Sequence, residues 1–432
     1  MIWNETMECM NPDQRHEIQS QRLRATVDKV YTKVPFYRAK MQEAGVAPSD
    51  IKEIEDIVKL PFTTKQDLRD AYPFNLCSAP QSEFARIHAS SGTTGKPTAV
   101  PYTQKDLDIF ADCAARAICS AGGTPKDVMQ IAYGYGLFTG GLGLHDGATR
   151  MGAAVVPISG GNTGNQLALM QDFGTTILAC TPSYAMLLAD ELEAQGTDTS
   201  KLPLRIGIFG AEPWSLEMKA QLEKKLNIKA YDIYGLSEIM GPGVGSGCSS
   251  QDGLHIAEDH FYPEILDPDT LLPVPDGTVG ELVFTHLTKE AMPLLRYRTR
   301  DLTSLSHGKC SCGRTNVKIT GVKGRSDDML IIRGVNVFPS QIESVLLEIP
   351  EATSHYLIIV DRKGNMDTIE VQVEINNNYI SDELSVLDEI KKKIKSKLDS
   401  FLRINTKVTL VEHRTVERSQ GKSVRVIDRR KL

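Results

Sequence analysis

The sequence predicts an α/β fold: a large N-terminal domain of parallel α/β sheets with a β-rich subdomain, followed by a small α+β C-terminal domain. Three observations predict it. Short apolar runs alternate with longer amphipathic ones from about residue 85 to 226. Glycine and proline become frequent after residue 240. The last hundred residues have their own hairpin and helix patterns.

Taken in order, residues 12–60 read as mostly helical and charged, ending at Leu60-Pro61-Phe62-Thr63-Thr64-Lys65, where proline and threonine mark a turn into a new helix. Val128–Tyr133, Ala153–Ile158, Thr175–Cys180 and Leu204–Phe209 read as buried strands. Asn165–Phe173, Ser183–Glu193 and Ser215–Leu226 read as the intervening and following helices. Strand–helix alternation at this spacing argues for a largely parallel sheet. Strand-like pieces such as Gly280–Thr285 place the β-rich subdomain at 240–320. In the C-terminal part, Ser340-Gln341-Ile342-Glu343 has capping-box spacing, which predicts a helix over 340–348. His355–Val360 and Thr368–Ile375 flank the turn-like Asp361-Arg362-Lys363-Gly364-Asn365, as in a hairpin. Leu384, Leu387, Ile390, Ile394, Leu398 and Phe401 recur at helical spacing, so 382–401 reads as an amphipathic helix with Lys391–Lys393 on its wet face. The expected domains are 1–325 and 326–432.

The bulk numbers narrow the function. A chain of 432 residues, 41% hydrophobic and 24% charged, is an ordinary globular protein of two or three domains. A net charge of −6 argues against nucleic acid or an anionic membrane as the main partner. The polar start lacks a signal-peptide core, and no run of eighteen apolar residues appears. The eight cysteines form no obvious disulfide framework, so a reducing cytoplasm is expected.

Five segments carry residue types suited to nucleotide chemistry. Ser90-Ser91-Gly92-Thr93-Thr94-Gly95-Lys96-Pro97-Thr98 combines small residues, which let a backbone approach phosphate oxygens, with hydroxyls and a cation. It is not a Walker loop, because Ser90 and Pro97 stand where that motif needs Gly and Ser/Thr. Gly134, Gly136, Gly140, Gly141 and Gly143 do not fit a dinucleotide fingerprint. Tyr231-Asp232-Ile233-Tyr234-Gly235-Leu236-Ser237-Glu238 offers a ring to stack on a base and a carboxylate to hold a phosphate-bound metal. Tyr297-Arg298-Thr299-Arg300-Asp301 and Gly324-Arg325-Ser326-Asp327-Asp328 supply aspartates able to accept from a ribose diol. Arg418-Ser419-Gln420-Gly421-Lys422-Ser423-Val424-Arg425 supplies a lysine able to meet developing carboxyl–phosphate charge. Alone, each fragment also suits a core position or a salt-bridged turn.

In this order, the five segments resemble the acyl-adenylate-forming (AMP-binding) ligase superfamily, and within it the phenylacetate–CoA ligase branch, over nearly the whole chain. The stretches Gly-Arg-Ser-Asp-Asp-Met-Leu-Ile-Ile-Arg-Gly-Val-Asn-Val-Phe-Pro and Gly-Lys-Ser-Val-Arg-Val-Ile-Asp-Arg-Arg add to the likeness. The resemblance implies ATP, Mg²⁺ and coenzyme A, a small aromatic carboxylic acid as substrate, a mobile C-terminal domain and a homodimer. A carboxylate is a poor electrophile because its leaving group would be oxide. Adenylation supplies AMP as a better one, and a domain swing then admits the thiol. Carried over by position, Ser90, Ser91, Gly92, Thr93, Thr94, Gly95 and Lys96 would hold the departing phosphates, and Glu238 would ligate Mg²⁺. Ala211, Glu212 and Pro213 would sandwich adenine with Asp232, Ile233 and Tyr234, beside Gly235 and Ser237. Asp301 would bind the ribose with help from Arg325, Asp327 would be the hinge, and Lys422 would drive adenylation. Tyr133, Tyr135, Phe138 and Gly210 are the candidate acyl pocket, although aromatic residues there also suit a core. Arg418, Arg425, Arg429, Arg430 and Lys431 suit either CoA phosphates or a solvated tail. Adenylate motifs leave open a carrier protein as the acyl acceptor, and a non-catalytic nucleotide-binding relative.

Cys248, His255, Cys310 and Cys312 form a Cys₃His set, a structural zinc composition, if the fold brings them together. His260, His286 and His307 compete as ligands, and the alternative is four unrelated residues. Cys9, Cys77, Cys113, Cys119 and Cys180 read as isolated.

Overall fold

The computed structural model describes residues 1–90, 97–333, 335–363, 366–376, 379, 384–417 and 424–430. They form two compact units: Met1–Cys180 with Pro203–Ala211 and Tyr231–Val322, and Thr181–Leu202 with Glu212–Ala230 and Lys323–Leu432. No helix among the described residues is long and apolar enough to cross a membrane.

The first unit opens with the short helix Glu5–Glu8, and the long helix Pro12–Lys33 follows. Asn11 caps it by accepting from Gln14 N, and Pro12 occupies its first turn. Leu23, Val27, Val30 and Val34 are buried along one face. Pro35 cannot continue that helix and instead starts the next, Pro35–Glu43. The expected helical stretch to residue 60 stops there. Gly45 turns left-handed at φ 67°, and only short 3₁₀ turns follow, at Pro48–Asp50 and Ile54–Lys59. The expected turn into a new helix is a capping box between Thr64 and Asp67 at the start of Lys65–Asp70.

The four predicted apolar strands lie side by side in a nine-stranded sheet. Val128–Ile131 runs parallel to Ala154–Val156 on one side and to Ile177–Cys180 on the other, and Ile177–Cys180 runs parallel to Ile206–Gly210. Every residue of Ile177–Cys180 and Ile206–Gly210 is buried, which explains their unbroken apolar sequence. Lys229–Tyr234 comes next in the order. Residues 240–320 divide between two sheets. Gly245–Gly247, Leu254–Ile256, Lys318–Ile319 and Leu305–Ser306 extend the large sheet in antiparallel fashion. Phe261–Leu266, Gly280–His286 and Tyr297–Thr303 pair antiparallel in another.

In the second unit, Pro182–Ala194, Leu216–Leu226, Pro339–Leu347 and Leu384–Leu402 are the α-helices among the described residues. Ala352–Lys363 and Met366–Ile375 form the predicted hairpin, with Asp361, Arg362 and Lys363 inside the strand rather than in the turn. Lys407–Val411 and Val426–Asp428 flank it in parallel. Two expectations need correction. The helix near 340 is capped two residues earlier than predicted: Phe338 is the N-cap and its N–H donates to Gln341, while Ser340 Oγ donates to the Lys323 carbonyl. On the long helix Phe401 is exposed and Leu402 is buried, because the face of Ile390, Ile394 and Leu398 continues at the fourth residue.

Candidate active site and Cys₃His cluster

The strands Arg86–Ala89 and Ala99–Tyr102 pair antiparallel and bring Ser90 opposite Thr98. Ser90 N donates to the Thr98 carbonyl at 3.0 Å, and Thr98 N to Ser90 Oγ at 3.3 Å. Ser91, Gly92, Thr93, Thr94, Gly95 and Lys96 lie outside the described residues. At the loop's base Thr98 Oγ1 and His88 Nε2 are buried with no partner among the described residues. His88 Nδ1 faces the Leu137 carbonyl at 3.0 Å.

Two sequence-distant candidates meet directly. The Tyr234 hydroxyl donates to Asp301 Oδ2 at 2.6 Å. Asp232 and Tyr234 are half-buried, whereas Ile233 is packed in the core. Gly235 starts a tight turn in which the Leu236 carbonyl accepts from Ile239, Met240 and Gly241. Only glycine fits at 235, since a Cβ there would stand 1.8 Å from the Gly241 oxygen. Gly210 is equally constrained, 2.1 Å from the Ile233 oxygen. After it Ala211 holds φ 72°, an unfavourable conformation for a residue with a Cβ.

Ser237 and Glu238 are buried on that turn. Glu238 Oε1 lies 3.8 Å from Lys65 Nζ. Ser237 Oγ is 3.3 Å from Thr139 Oγ1. In the acyl-pocket candidate Tyr133 is buried in the core cluster, while Phe138 is exposed at the N-cap of Thr139–Met151. Tyr135 is half-buried, its hydroxyl 3.3 Å from His145 Nδ1, and burial pushes its phenol up.

In the second unit, the Glu212 carboxylate accepts from Ser183 N and Oγ at the start of Pro182–Ala194, and Pro213 is exposed. Arg325 makes a two-point pair with Asp327, at 2.8 and 2.9 Å. Lys422 lies outside the described residues, as do Arg418 and Lys431. Arg425 stacks over Tyr356 and reaches Glu343, and Arg430 is engaged by Asp367 and Asp428.

Cys248, His255, Cys310 and Cys312 converge, their ligand atoms all within 4.8 Å of one another. Cys248 Sγ and Cys310 Sγ are 3.7 Å apart, and Cys312 Sγ and His255 Nε2 are 3.5 Å apart. A tetrahedron with Zn–S of about 2.3 Å and Zn–N of about 2.05 Å has edges of about 3.75 and 3.55 Å. His255 Nδ1 faces the Asn316 carbonyl at 3.1 Å, the contact that turns Nε2's lone pair to the thiols. Burial holds His255 down at about 4, so it is neutral at neutral pH. Burial opposes ionisation of Cys310, but hydrogen bonds from Ser250, Cys312 and Cys248 bring its thiol down to about 7. The competing histidines are engaged elsewhere: His260 with Asp259 and Thr288, His286 with Ile239 and Leu294, His307 with Asp276.

Sequence reasoning missed Lys65, His88, Tyr102 and Lys289. Of these, only Lys65 carried a local signal, its place just after the Thr64 cap.

The class of protein follows from the sequence comparisons: it is an AMP-binding enzyme. The sequence matches the AMP-binding enzyme family over residues 11–287, and the AMP-binding enzyme C-terminal domain over 334–430. The chain belongs to this family and, within it, to the phenylacetate–coenzyme A ligases. It is 48% identical to the phenylacetate-coenzyme A ligase of Thermus thermophilus, with 100% of each chain covered. It is 49% identical to that of Escherichia coli, covering 99% of this chain and 97% of the other. Among solved structures, 2-hydroxyisobutyryl-CoA ligase in the postadenylation state with R3-HIB-AMP superposes with a TM-score of 0.93 at 29% identity, covering 99% of this chain and 92% of that one.

Proposed function

We propose that this AMP-forming acid–CoA ligase takes a phenylacetate-like aryl acid. The observation that carries the reading is the near-half identity to phenylacetate-coenzyme A ligases along the whole chain. In the first half-reaction a carboxylate oxygen bonds to the α-phosphorus of ATP, the bond to the β-phosphate bridge breaks, and pyrophosphate leaves. In the second, the CoA sulfur bonds to the acyl carbon and the carbon–oxygen bond to AMP breaks.

The residues divide this work. Ser90 to Lys96 would hold the departing phosphates by backbone N–H groups and hydroxyls. Tyr234 would face adenine, with Ala211, Glu212, Pro213, Asp232, Ile233, Gly235 and Ser237 around it, and Asp301 would accept from the ribose diol. The Tyr234–Asp301 hydrogen bond supports this, because it ties the base-facing ring to the ribose-facing carboxylate. Arg325 would assist. Glu238 would hold Mg²⁺, which when bound neutralises phosphate charge. Lys422 would meet the charge developing on the attacking carboxyl and α-phosphate, and residues 326–432 would turn about Asp327 between the halves. Tyr133, Tyr135, Phe138 and Gly210 would border the aryl group. Cys248, His255, Cys310 and Cys312 would hold a structural Zn²⁺; the Cys248–Cys310 and Cys312–His255 distances support it, and four protein ligands leave no open position for catalysis. The protein is proposed to work in the cytoplasm as a homodimer.

The test is pyrophosphate release and thioester mass across a panel of aromatic and aliphatic acids. Aryl-acetic acids should lead, and release with none would overturn the reading. Lys422→Ala should nearly abolish adenylation and spare thioester formation from preformed acyl-AMP. Equal loss in both halves would refute its assignment.

A further inference from the structure

We propose that Lys289 is a positioning residue for adenylation: together with Tyr102 and His286 it holds the backbone turn that presents Glu238. The inference rests on the reading of Glu238 as the residue that meets the nucleotide's metal.

Lys289 is fully buried, yet no carboxylate lies within 4.0 Å of its ammonium among the described residues. A buried cation without a direct counter-charge is expensive, and an apolar side chain of similar length would be cheaper for the fold alone. What the ammonium does instead is specific. It donates to the Ile239 carbonyl at 2.9 Å and sits 4.3 Å above the Tyr102 ring. His286 Nε2 donates to the same carbonyl at 2.7 Å. Its tautomer is set by Leu294 N, which donates to Nδ1 at 2.8 Å. The Tyr102 hydroxyl bridges the carbonyls of Ser237 and Met240, at 3.2 and 3.0 Å.

Three buried side chains from two distant parts of the chain, Tyr102 and the segment of His286 and Lys289, therefore grip carbonyls 237, 239 and 240, and Glu238 stands between them. A carbonyl held by two donors cannot swing, so the turn is fixed before any ligand arrives, which is what electrostatic catalysis requires of a supporting frame. The other charged or titratable groups facing Lys289 are Asp106, Cys77, Glu238 and His88, all too distant for a direct pair. Burial pulls the Lys289 ammonium down to about 8, the cost of holding it there.

The experiment compares Lys289→Met, Tyr102→Phe and Glu238→Gln in the full chain. It reads the Mg²⁺ concentration for half-maximal ATP–pyrophosphate exchange with phenylacetate, thioester formation from preformed phenylacetyl-AMP and CoA, and the melting temperature. Loss of one charge-assisted bond should raise the Mg²⁺ requirement about tenfold in Lys289→Met, and loss of the shared neutral bond about threefold in Tyr102→Phe, with thioester formation within about twofold. A Mg²⁺ requirement unchanged in both, while Glu238→Gln shifts it, would overturn the inference and leave the Glu238 reading standing. No shift in Glu238→Gln would overturn both. Equal loss in the two half-reactions would make Lys289 merely structural. If Lys289→Met does not fold, Tyr102→Phe, which keeps the ring, decides.

Discussion

Gly235→Ala is the sharpest probe of the turn beneath Glu238. A Cβ at 235 would lie 1.8 Å from the Gly241 oxygen, 2.4 Å from its carbon and 2.9 Å from Pro242 N. A comfortable carbon–oxygen contact is about 3.3 Å, so the two strands of the turn must part by about 1.5 Å. The obstacle is backbone and cannot rotate away. Nor is the turn free to open, because Ile239, Met240 and Gly241 all donate to the Leu236 carbonyl, and buried side chains grip it from outside. Overpacking of this kind costs about 1–3 kcal/mol. The functional cost is larger: misplacing a catalytic group by about 1 Å can cost on the order of 10²-fold. We expect ATP–pyrophosphate exchange to fall roughly 100-fold, with a melting temperature only a few degrees lower. Gly164→Ala is the control, since a Cβ there meets nothing within 4 Å inside the helix Thr163–Asp172, and it should be neutral or slightly stabilising. Exchange within about twofold of the parent in Gly235→Ala would refute the premise that this turn is rigid and placed for chemistry.

Two further outcomes are expected. The purified chain should carry about one zinc per molecule, and Cys312→Ser or a strong chelator should remove it and lower the melting temperature; cobalt substitution should give thiolate-to-metal absorption, and metal-replete protein with no bound zinc would refute the site. Burial raises the Glu343 carboxyl to about 7 against an ordinary 4.5, with Arg425 opposing the rise. Between about pH 4.5 and 7 the folded chain keeps a proton that the unfolded chain has lost, so this group's contribution is fully present below 4.5 and declines as pH rises through 7, by on the order of 3 kcal/mol. Glu343→Gln should flatten that slope in denaturant titrations from pH 5 to 8, and parallel curves for the two proteins would refute it.

The parallel strands were legible because a strand buried on both faces must be apolar throughout, as Ile177–Cys180 and Ile206–Gly210 are. Their ends were less so. The apolar run Ala153–Ile158 outlasts the pairing, which ends at Val156. The cap near 340 failed for a different reason. Ser340-x-x-Glu343 and Phe338-x-x-Gln341 overlap, and the choice falls to a contact that local spacing does not contain, Ser340 to the Lys323 carbonyl. Glu343 is then drawn inward to Arg425.

At the candidate site, residues whose side chains are themselves the chemistry could be found by type. Three thiols and an imidazole are scarce and suggestive wherever they stand. The supporting groups had no such mark. Tyr102 is separated from the carbonyls it holds by 135 and 138 residues, and a tyrosine ending a strand reads as core. Lys289 has the look of a surface lysine. Its partner is a backbone carbonyl, which any residue at 239 would supply, so no residue type there could have signalled it. This asymmetry has a physical origin. Groups that touch ligand are selected for what they are, but groups that hold them are selected for where topology puts them. A frame built from backbone carbonyls therefore tolerates sequence change in the turn more readily than loss of any of its three donors. Leu236, Ile239 and Met240 should accept apolar replacements at modest cost, while Gly235, His286 and Lys289 should not.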